Sequence, residues 1–300
     1  MNFLLYQAYG KPEIAFEALY SILSYLKVSE GLPADEQAQI VVYTDQQALF
    51  ETYLNQVPKP IRYEPMPAEL ITEWRGEINF VHRVKIKRLQ DFFSRELGNV
   101  LYVDTDTVFL SDVSPVFQKI GRGELYMHIQ EGTLQSRQNR IFDKIYRFLQ
   151  PLDFAFRVDG QRIEVPAKTE MWNAGVLGIN DRHKNLLQRV LHFTDAVYPQ
   201  LPMHIIEQLG FSLYFTQNRT VLPAYNYIYH YWNFKEFRGV LGQFFDANKG
   251  KTTPELIARL HKIDPQELIK PKLEYENLRG WRRTWRKLSG VKWKLPEYEV

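Results

Sequence analysis

The stretch NVLYVDTDTVFLSD, residues 99–112, constrains the fold more than any other part of this sequence. Its apolar run VLYV is typical of a strand that is covered on both faces in a parallel sheet. Asp104 and Asp106 follow directly, at the carboxyl end of the predicted strand, where open α/β sheets bind ligands. Their carboxylates are hard oxygen ligands of the kind that hold Mg²⁺ or Mn²⁺ beside phosphates. An aspartate after a strand can instead cap a turn, but two between apolar runs favour a metal site, because unpaired buried charge is costly.

Composition limits the class of protein. The chain has 300 residues, 45% hydrophobic and 24% charged, which is enough for one large α/β domain with or without an extension. The absence of cysteine excludes disulfides and thiolate metal sites and fits a reducing cytoplasm. The amino terminus lacks the pattern of a signal peptide, and no apolar run is long enough to span a bilayer. We therefore expect a cytoplasmic globular protein.

Alternating strand and helix patterns precede the two aspartates. Strands are predicted at residues 3–9, 39–43 and 59–64, and helices at 13–29, 45–54 and 80–97, with a polar loop around Trp74. This order is typical of the mononucleotide-binding half of a doubly wound sheet. Tyr9 ends the first strand, and Asp45 follows the second, where it is either a helix N-cap or a contact to a nucleotide base or ribose.

The helix before the aspartates carries the basic row His82, Arg83, Lys85, Lys87 and Arg88. A solvated helix face explains most such rows. Beside a metal-diphosphate site, one or two of these side chains would instead clamp phosphates. Arg83 and Lys87 are four residues apart and share a face, so they are the candidates, and Arg83 is preferred.

Further elements are predicted downstream of the aspartates. We expect a strand at 123–129, an amphipathic helix at 134–149, a hairpin around Asp159-Gly160, and helices at 180–197 and 202–214. The segment MWNAGVLGIN, residues 171–180, opens with small residues and continues as an apolar strand. Gly175 in this segment indicates that the backbone closely approaches another group.

Three features together resemble a known family: the strand into Asp104-Thr105-Asp106, the NAGV segment that begins at Asn173, and the later His230. They are similar to the nucleotide-sugar glycosyltransferases of the GT-A fold, and within these to family 8 and its relatives, over residues 1–237. The resemblance implies an α/β fold, with a GT-A-like (Rossmann-like) mixed sheet flanked by helices in residues 1–248. Residues 249–300 would form a basic, aromatic carboxyl-terminal extension.

The resemblance also implies a divalent metal, Mn²⁺ or Mg²⁺, that holds the diphosphate of a nucleotide-sugar donor, expected to be a UDP-sugar. Asp104, Asp106 and His230 would ligate the metal, Asp104 and Thr105 would contact the donor, and Lys235 would contact the diphosphate. The family usually shows His-x-x-Gly-x-x-Lys-Pro-Trp here, whereas this chain has HYWNFKEF from residue 230. A histidine packed in an aromatic cluster is therefore the alternative for His230.

The catalytic assignments rest on the same resemblance. The family's Asp-Gln-Asp motif near the acceptor corresponds here to Glu207-Gln208-Leu209. Family 8 resemblance implies retention at the anomeric carbon, with Asn173 and Gln208 positioning sugar and acceptor. An inverting enzyme would need a carboxylate base, for which Glu207 or Asp181 could serve, so the stereochemistry stays open.

Two other classes of function compete with this interpretation. The run DTDTV that begins at Asp104 also fits the nucleophile loop of haloacid-dehalogenase-like phosphatases, in which the first aspartate forms a phosphoaspartate. That loop normally lies on the first strand, whereas about a hundred residues of α/β pattern precede it here. A non-catalytic nucleotide-sugar-binding protein is the other alternative.

The carboxyl-terminal extension differs in character. Short helices are predicted at 253–262 and 265–270, and residues 279–295 interleave three tryptophans with arginine and lysine. Such a segment suits an anionic membrane surface, with packing of the tryptophans onto the domain as the alternative. Membrane binding would place the protein on the inner face of a membrane and indicate a lipid-linked or lipopolysaccharide-type glycan acceptor. With a net charge of only +3, we expect no nucleic-acid partner.

Overall fold

A computed structural model describes residues 1–33, 35–137, 139–158, 161–217, 219–288, 290 and 292–300. Its strands in chain order are β1 (Asn2–Ala8), β2 (Gln39–Thr44), β3 (Arg62–Pro65), β4 (Asn99–Val103), β5 (Thr107–Phe109), β6 (Leu125–Met127), β7 (Gln130–Thr133), β8 (Ala155–Val158), β9 (Gln161–Glu164), β10 (Glu170–Trp172), β11 (Val176–Asn180), β12 (Val221–Pro223) and β13 (Ile228–His230).

Helices cover the faces of the sheet and form the carboxyl-terminal region. They are α1 (Pro12–Val28), α2 (Gln47–Tyr53), α3 (Ala68–Arg75), α4 (Arg83–Arg95), α5 (Ser114–Gly121), α6 (Arg140–Leu149), α7 (Asn185–Val197), α8 (Ile206–Thr216), α9 (Phe237–Ala247), α10 (Thr253–Arg259), α11 (Pro265–Leu268), α12 (Lys270–Glu276) and α13 (Gly280–Leu288), with short 3-10 turns between some of them.

The central sheet has the strand order β12-β6-β11-β4-β1-β2-β3. β3, β2, β1 and β4 run parallel, and β11 is antiparallel to both of its neighbours, β4 and β6. The run from Val100 to Val103 in β4 is buried, which confirms the prediction of a strand covered on both faces. The predicted mixed α/β sheet flanked by helices is therefore confirmed.

Strand residues alternate between two apolar cores, one on each face of the sheet. Phe3 and Leu5 of β1 point into the core that is closed by α4, α7 and α8, whereas Leu4 and Tyr6 point into the core closed by α1, α5 and α9. Each fully buried apolar side chain contributes about 1.5–3 kcal/mol relative to its exposed state. Two cores of this kind hold β4, and hence the loop after it, rigidly in place.

Two predicted elements differ in the structure, and a third lies partly outside the described residues. The expected polar loop around Trp74 is helix α3, because Trp74 is buried and Leu70 and Ile71 pack beside it in the same core. The helix predicted at 134–149 begins as α6 only at Arg140, where the Asn139 side chain accepts the Ile141 N–H and caps it. β8 and β9 form the expected hairpin, but its turn at residues 159 and 160 lies outside the described residues.

The first part of the carboxyl-terminal extension belongs to the core on the α1 side. Leu256, Leu260 and Ile263 are buried there, and the Tyr20 hydroxyl donates to the Ile263 carbonyl at 3.3 Å. Helix α13 follows this packed region, and most of its described side chains are exposed. No helix in the described ranges is long and apolar enough to cross a bilayer.

Candidate active site

The loop between β4 and β5 carries Asp104 and Asp106 at the carboxyl end of the central strand. β11 runs antiparallel to β4 and begins at this same end, with Val176 opposite Val103. The segment before β11 is thereby brought to the loop, and the Asp104 N–H donates to the Gly175 carbonyl at 2.7 Å. The topology, rather than proximity in sequence, joins the two motifs.

His230 reaches the same loop through a second pairing. β13 is antiparallel to β5, with His230 opposite Thr107. The His230 Nε2 atom lies 3.0 Å from Oδ1 of Asp106. One ligand atom each from Asp104, Asp106 and His230 lies within 4.8 Å of the others. Two carboxylates and one imidazole at this spacing form a donor set suited to Mn²⁺ or Mg²⁺.

The hydrogen bonds around His230 test whether this donor set fits a metal. The Asn173 Oδ1 atom accepts the Gly175 N–H at 2.9 Å, so it is an acceptor for the His230 Nδ1 atom 3.0 Å away as well. Nδ1 therefore carries a proton, and in the neutral ring the lone pair of Nε2 faces Asp106. Two electron-rich atoms at 3.0 Å need a cation or a proton between them. The residues thus fit a divalent metal.

Gly175 allows the close packing that this arrangement requires. A side chain on this glycine would collide with the His230 ring and would crowd the Asn173 side chain. The prediction that the backbone at Gly175 approaches another group is therefore confirmed, and the group is the imidazole of His230.

Lys85 of α4 is the buried cation of the site. Its Nζ lies 3.3 Å from Asp104 and 3.0 Å from Glu207, and it donates to the Ala174 carbonyl at 3.0 Å. Burial alone would lower the pKa of Lys85, but Asp104 and Glu207 raise it above the ordinary value, so the ammonium stays charged. Lys85 links the loop after β4 to the start of α8.

Asp106 is held ionised by its contacts with His230 and Lys235. The Lys235 Nζ atom is 2.6 Å from Asp106 Oδ2, on the other side of the carboxylate from His230. Burial opposes ionisation, but without a metal the proton between His230 and Asp106, together with the charge of Lys235, lowers the pKa of Asp106 far below its usual range. The Asp104 carboxylate in turn accepts the Tyr102 hydroxyl, and Lys85 and His230 lower its pKa against the effect of burial. Both carboxylates are therefore anionic near neutral pH.

A pocket of about 210 Å³ opens beside these residues. Glu131 forms part of its wall and joins two predicted residues, because it accepts Asn173 Nδ2 at 3.1 Å and Gln208 Nε2 at 2.9 Å. The antiparallel pairing of β7 with β10 brings Glu131 there. The indole of Trp232, 53% exposed, also lines the pocket, which thus combines polar groups with one aromatic face.

Two candidates from the α4 basic row lie elsewhere. Arg83 forms a two-point ion pair with Asp195 of α7, at 2.6 and 3.0 Å, and also donates to the Trp74 carbonyl. Lys87 is half-buried and has no hydrogen bond or ion pair among the described side chains. The structure places Lys85, rather than Arg83, at the acidic pair.

The remaining candidates occupy the same edge of the sheet but make other contacts. Asp45 is not the N-cap of α2, which is Gln46; its carboxylate instead accepts the Gly10 N–H at 3.0 and 3.1 Å. Tyr9 is half-buried. Thr105 is buried and donates its hydroxyl to Glu17 at 3.3 Å.

Lys85, Glu131 and Trp232 are pocket residues that sequence reasoning missed. A signal for Lys85 was present, since it is four residues before Leu89 and therefore lies on the apolar face of α4. Glu131 and Trp232 offered no comparable local signal, because strand pairings of β7 with β10 and of β13 with β5 bring their segments to the pocket.

Comparisons with known proteins agree at the level of the fold. No protein-family model matches the sequence, and the search of curated proteins gives no significant match. Mouse xyloside xylosyltransferase 1 in its apo form superposes with a TM-score of 0.51 at 12% identity, over 74% of this chain and 85% of that one. The galactosyltransferase LgtC, solved with donor and acceptor sugar analogues, gives a TM-score of 0.47 at 16% identity, over 71% and 70%. The superposition on the xylosyltransferase shows that the chain shares the GT-A fold of solved glycosyltransferases.

Proposed function

We propose that this protein is a metal-dependent glycosyltransferase that moves a sugar from a nucleotide diphosphate donor, a UDP-sugar, to a glycan or lipid-linked acceptor. The carrying observation is the cluster of Asp104, Asp106 and His230 at the carboxyl end of the central strand, beside a pocket with polar walls. The GT-A fold supports this assignment, because ligands of open α/β sheets bind at that edge.

Asp104, Asp106 and His230 would hold Mn²⁺ or Mg²⁺ in this proposal. When bound, the metal would stabilise the charge that develops on the departing diphosphate, as a Lewis acid and as a template. Lys235 is suited to contact the same diphosphate, because its side chain is 53% exposed while its ammonium remains beside Asp106. A fixed cation at that point adds electrostatic stabilisation without reorganisation.

The contacts of the acidic residues support a retaining rather than an inverting reaction. Glu207 is buried in an ion pair with Lys85, so its carboxylate is not free to take a proton from an acceptor hydroxyl. Asp181 follows β11 at the opposite edge of the sheet and accepts the Gly98 N–H at 3.0 Å. Asn173 and Gln208 would then position the sugar and the acceptor with their neutral amides. The Glu131 carboxylate accepts a hydrogen bond from each amide and so orients both.

The phosphatase alternative is not favoured, because the shared fold is that of glycosyltransferases. A non-catalytic nucleotide-sugar-binding protein would use the same cluster, and it differs from an enzyme only in the absence of transfer. Hydrolysis or transfer of the donor sugar in a screen of UDP-sugars therefore separates these two functions.

An anionic membrane surface is a further part of the proposal, and α13 supports it. Trp281, Trp285 and Leu288 lie at helical spacing on one face and are 67%, 70% and 81% exposed. Residues 277–296 contain seven basic side chains and no acidic one. An exposed aromatic and apolar face bordered by cations is typical of helices that lie in the interface of an anionic bilayer. This surface would bring the enzyme to a lipid-linked acceptor.

Calorimetric titration of UDP, with and without Mn²⁺, tests the donor assignment. We expect UDP to bind in the presence of Mn²⁺ and Asp106→Asn to abolish this metal-dependent binding. Asp143→Asn is the control, because Asp143 pairs with Arg137 and Arg147 on the surface of α6 and should not affect UDP binding. Absence of UDP binding to the wild type in both conditions would overturn the proposal of a UDP-linked donor.

A further inference from the structure

Helix α1 carries a row of polar side chains on a face that is otherwise apolar. Glu17, Ser21 and Ser24 are one and two helical turns apart, and they are 1%, 0% and 3% exposed. We call these three residues the α1 polar row. A buried row that includes a carboxylate is costly unless each group has a partner.

The partners of the α1 polar row are alternate residues of the metal-binding loop and of β5. Glu17 accepts the Thr105 hydroxyl at 3.3 Å, and Ser21 lies 2.8 Å from the Thr107 hydroxyl. The Ser24 hydroxyl accepts the N–H of Phe109 at 2.9 Å. These three contacts follow one another in the same order along α1 and along residues 105–109. Together they fix the position of the loop relative to α1.

One of these contacts reaches the backbone of the loop itself. The Thr107 hydroxyl donates to the Asp104 carbonyl at 2.9 Å, so Ser21 must donate to Thr107. Because the Ser21 proton is directed to Thr107, the Tyr6 hydroxyl of β1, 3.0 Å away, donates to Ser21. The loop conformation at Asp104 is therefore supported from inside the core.

Arg238 connects the same row to the other half of the site. It forms a two-point ion pair with Glu17, at 2.9 and 3.0 Å, from the second residue of α9. The segment directly before α9 carries His230 and Lys235, both of which contact Asp106. Glu17 thus contacts the loop through Thr105 and helix α9 through Arg238, and it connects the loop to the segment 230–235.

We propose that Glu17 and Arg238 form a positioning pair, which holds the loop of Asp104 and Asp106 and the segment of His230 in the arrangement that binds the metal. This inference rests on the metal site of the proposed function. Neither residue is a ligand; each acts through the backbone and side chains that it fixes. Groups that orient metal ligands commonly change metal affinity by about 10-fold to 100-fold when they are lost.

For loss of the Arg238 charge, electrostatics alone predicts tighter metal binding, whereas the positioning pair predicts weaker metal binding. Substitution of Arg238 therefore discriminates between the two explanations. Removal of a cation whose charge acts on the Asp106 carboxylate would strengthen the binding of a divalent cation. Loss of positioning would weaken it. Glu17→Gln does not discriminate between the two, because removal of an anion weakens cation binding in either case.

The test is Mn²⁺ binding by electron paramagnetic resonance, which detects the free ion, with the wild type, Arg238→Met and Arg238→Lys. We expect Arg238→Met to bind Mn²⁺ about 10-fold to 100-fold more weakly and Arg238→Lys to recover part of the loss. Arg62→Met is the matched control, because the Arg62 side chain is 31% exposed, against 29% for Arg238, and pairs with Glu64 and Glu96 away from the site. It should leave the affinity for Mn²⁺ unchanged.

Unchanged or tighter Mn²⁺ binding by a folded Arg238→Met would overturn the positioning pair. If Arg238→Met does not fold, the double variant Glu17→Gln/Arg238→Gln, which leaves no unpaired buried charge, takes its place. Because that variant removes one anion and one cation, charge alone should leave the affinity for Mn²⁺ close to that of the wild type, whereas loss of positioning should weaken it about 10-fold to 100-fold. An affinity equal to that of the wild type would overturn the proposal. Absence of Mn²⁺ binding by the wild type would contradict the proposed metal site instead, so the two failures are distinguishable.

Discussion

The imidazole of His230 packs directly on the backbone of Gly175. A Cβ atom added to this glycine would lie 2.2 Å from both Cε1 and Nδ1 of the ring. Because Nδ1 also bonds to Asn173 at 3.0 Å, residues 173–175 both admit the ring and orient it. The glycine at position 175 is therefore required for His230 to lie beside Asp104 and Asp106.

We expect Gly175→Ala to displace His230 from Asp106 and to weaken Mn²⁺ binding by about 10-fold to 100-fold. Overpacking should also lower the free energy of unfolding by about 1–3 kcal/mol. Paramagnetic resonance titration of Mn²⁺ and urea unfolding measure the two effects. Gly242→Ala is the control, because a Cβ there meets nothing within 4 Å. Equal Mn²⁺ affinities of Gly175→Ala and the wild type would contradict the requirement for glycine.

Lys85→Met should be strongly destabilising. It removes the cation between Asp104 and Glu207, and an unpaired charge in a buried site costs about 3–5 kcal/mol. Lys87→Met, two residues along the same helix, should change the free energy of unfolding by no more than about 0.5 kcal/mol. Urea unfolding of both variants measures the difference. Similar stabilities of the two variants would show that Lys85 does not neutralise the buried carboxylates.

Arg83 and Lys235 should differ in what their loss affects. Arg83→Met breaks the ion pair with Asp195 that joins α4 to α7, so the free energy of unfolding should fall by about 1–2 kcal/mol while UDP binding is retained. Lys235→Met should weaken UDP binding in Mn²⁺ about 10-fold, because a charge-assisted contact to the diphosphate is lost. Urea unfolding measures the stability of each variant, and calorimetric titration with UDP in Mn²⁺ measures its affinity. Weaker UDP binding by Arg83→Met would restore Arg83 as the diphosphate contact.

Trp232 should contribute to acceptor binding, because its half-exposed indole is the aromatic wall of the pocket. Loss of an aromatic contact of about 0.5–1.5 kcal/mol corresponds to an increase in the KM for the acceptor of about 2-fold to 12-fold. The KM for the donor should stay constant in Trp232→Ala. Steady-state kinetics with each substrate varied in turn measures both constants, and an unchanged acceptor KM would exclude Trp232 from that subsite.

Local sequence patterns were sufficient for the parts of the site that lie on strands. The apolar run before Asp104 predicted β4, and the glycine of the NAGV segment predicted the close approach at β11. Both predictions depend only on residues adjacent in sequence, and the structure confirms them. The sheet edge as a ligand site then followed from the general topology of α/β folds.

Residues whose role depends on the rotation of a helix or on strand pairing were harder to predict. Arg83 and Lys85 are two residues apart on α4, and only the packing of Leu89 and Phe92 into the core determines which one faces Asp104. Glu131 meets Asn173 and Gln208 because β7 pairs with β10. Such relationships are long-range, so a single sequence carries little signal for them.

The last prediction concerns α13 and separates its two exposed tryptophans from the third tryptophan of the segment. Trp293 packs back on the domain, with its ring 6.4 Å from that of Phe234 and the Lys272 ammonium 5.6 Å above it. Trp281 and Trp285 remain exposed on one side of the helix. Membrane binding through α13 should therefore depend on these two residues.

We expect wild-type protein to sediment with vesicles of phosphatidylcholine and phosphatidylglycerol, and less with phosphatidylcholine alone, because each basic side chain near an anionic surface contributes about 1 kcal/mol. Trp281→Ala/Trp285→Ala should weaken this binding at least about 10-fold, since it removes the aromatic groups that enter the headgroup region. Trp232→Ala, which removes an exposed tryptophan at the pocket, is the control and should sediment like the wild type. Equal sedimentation of the double variant and the wild type would show that α13 is not the bilayer contact, and a lipid-linked acceptor would then have to reach the pocket without it.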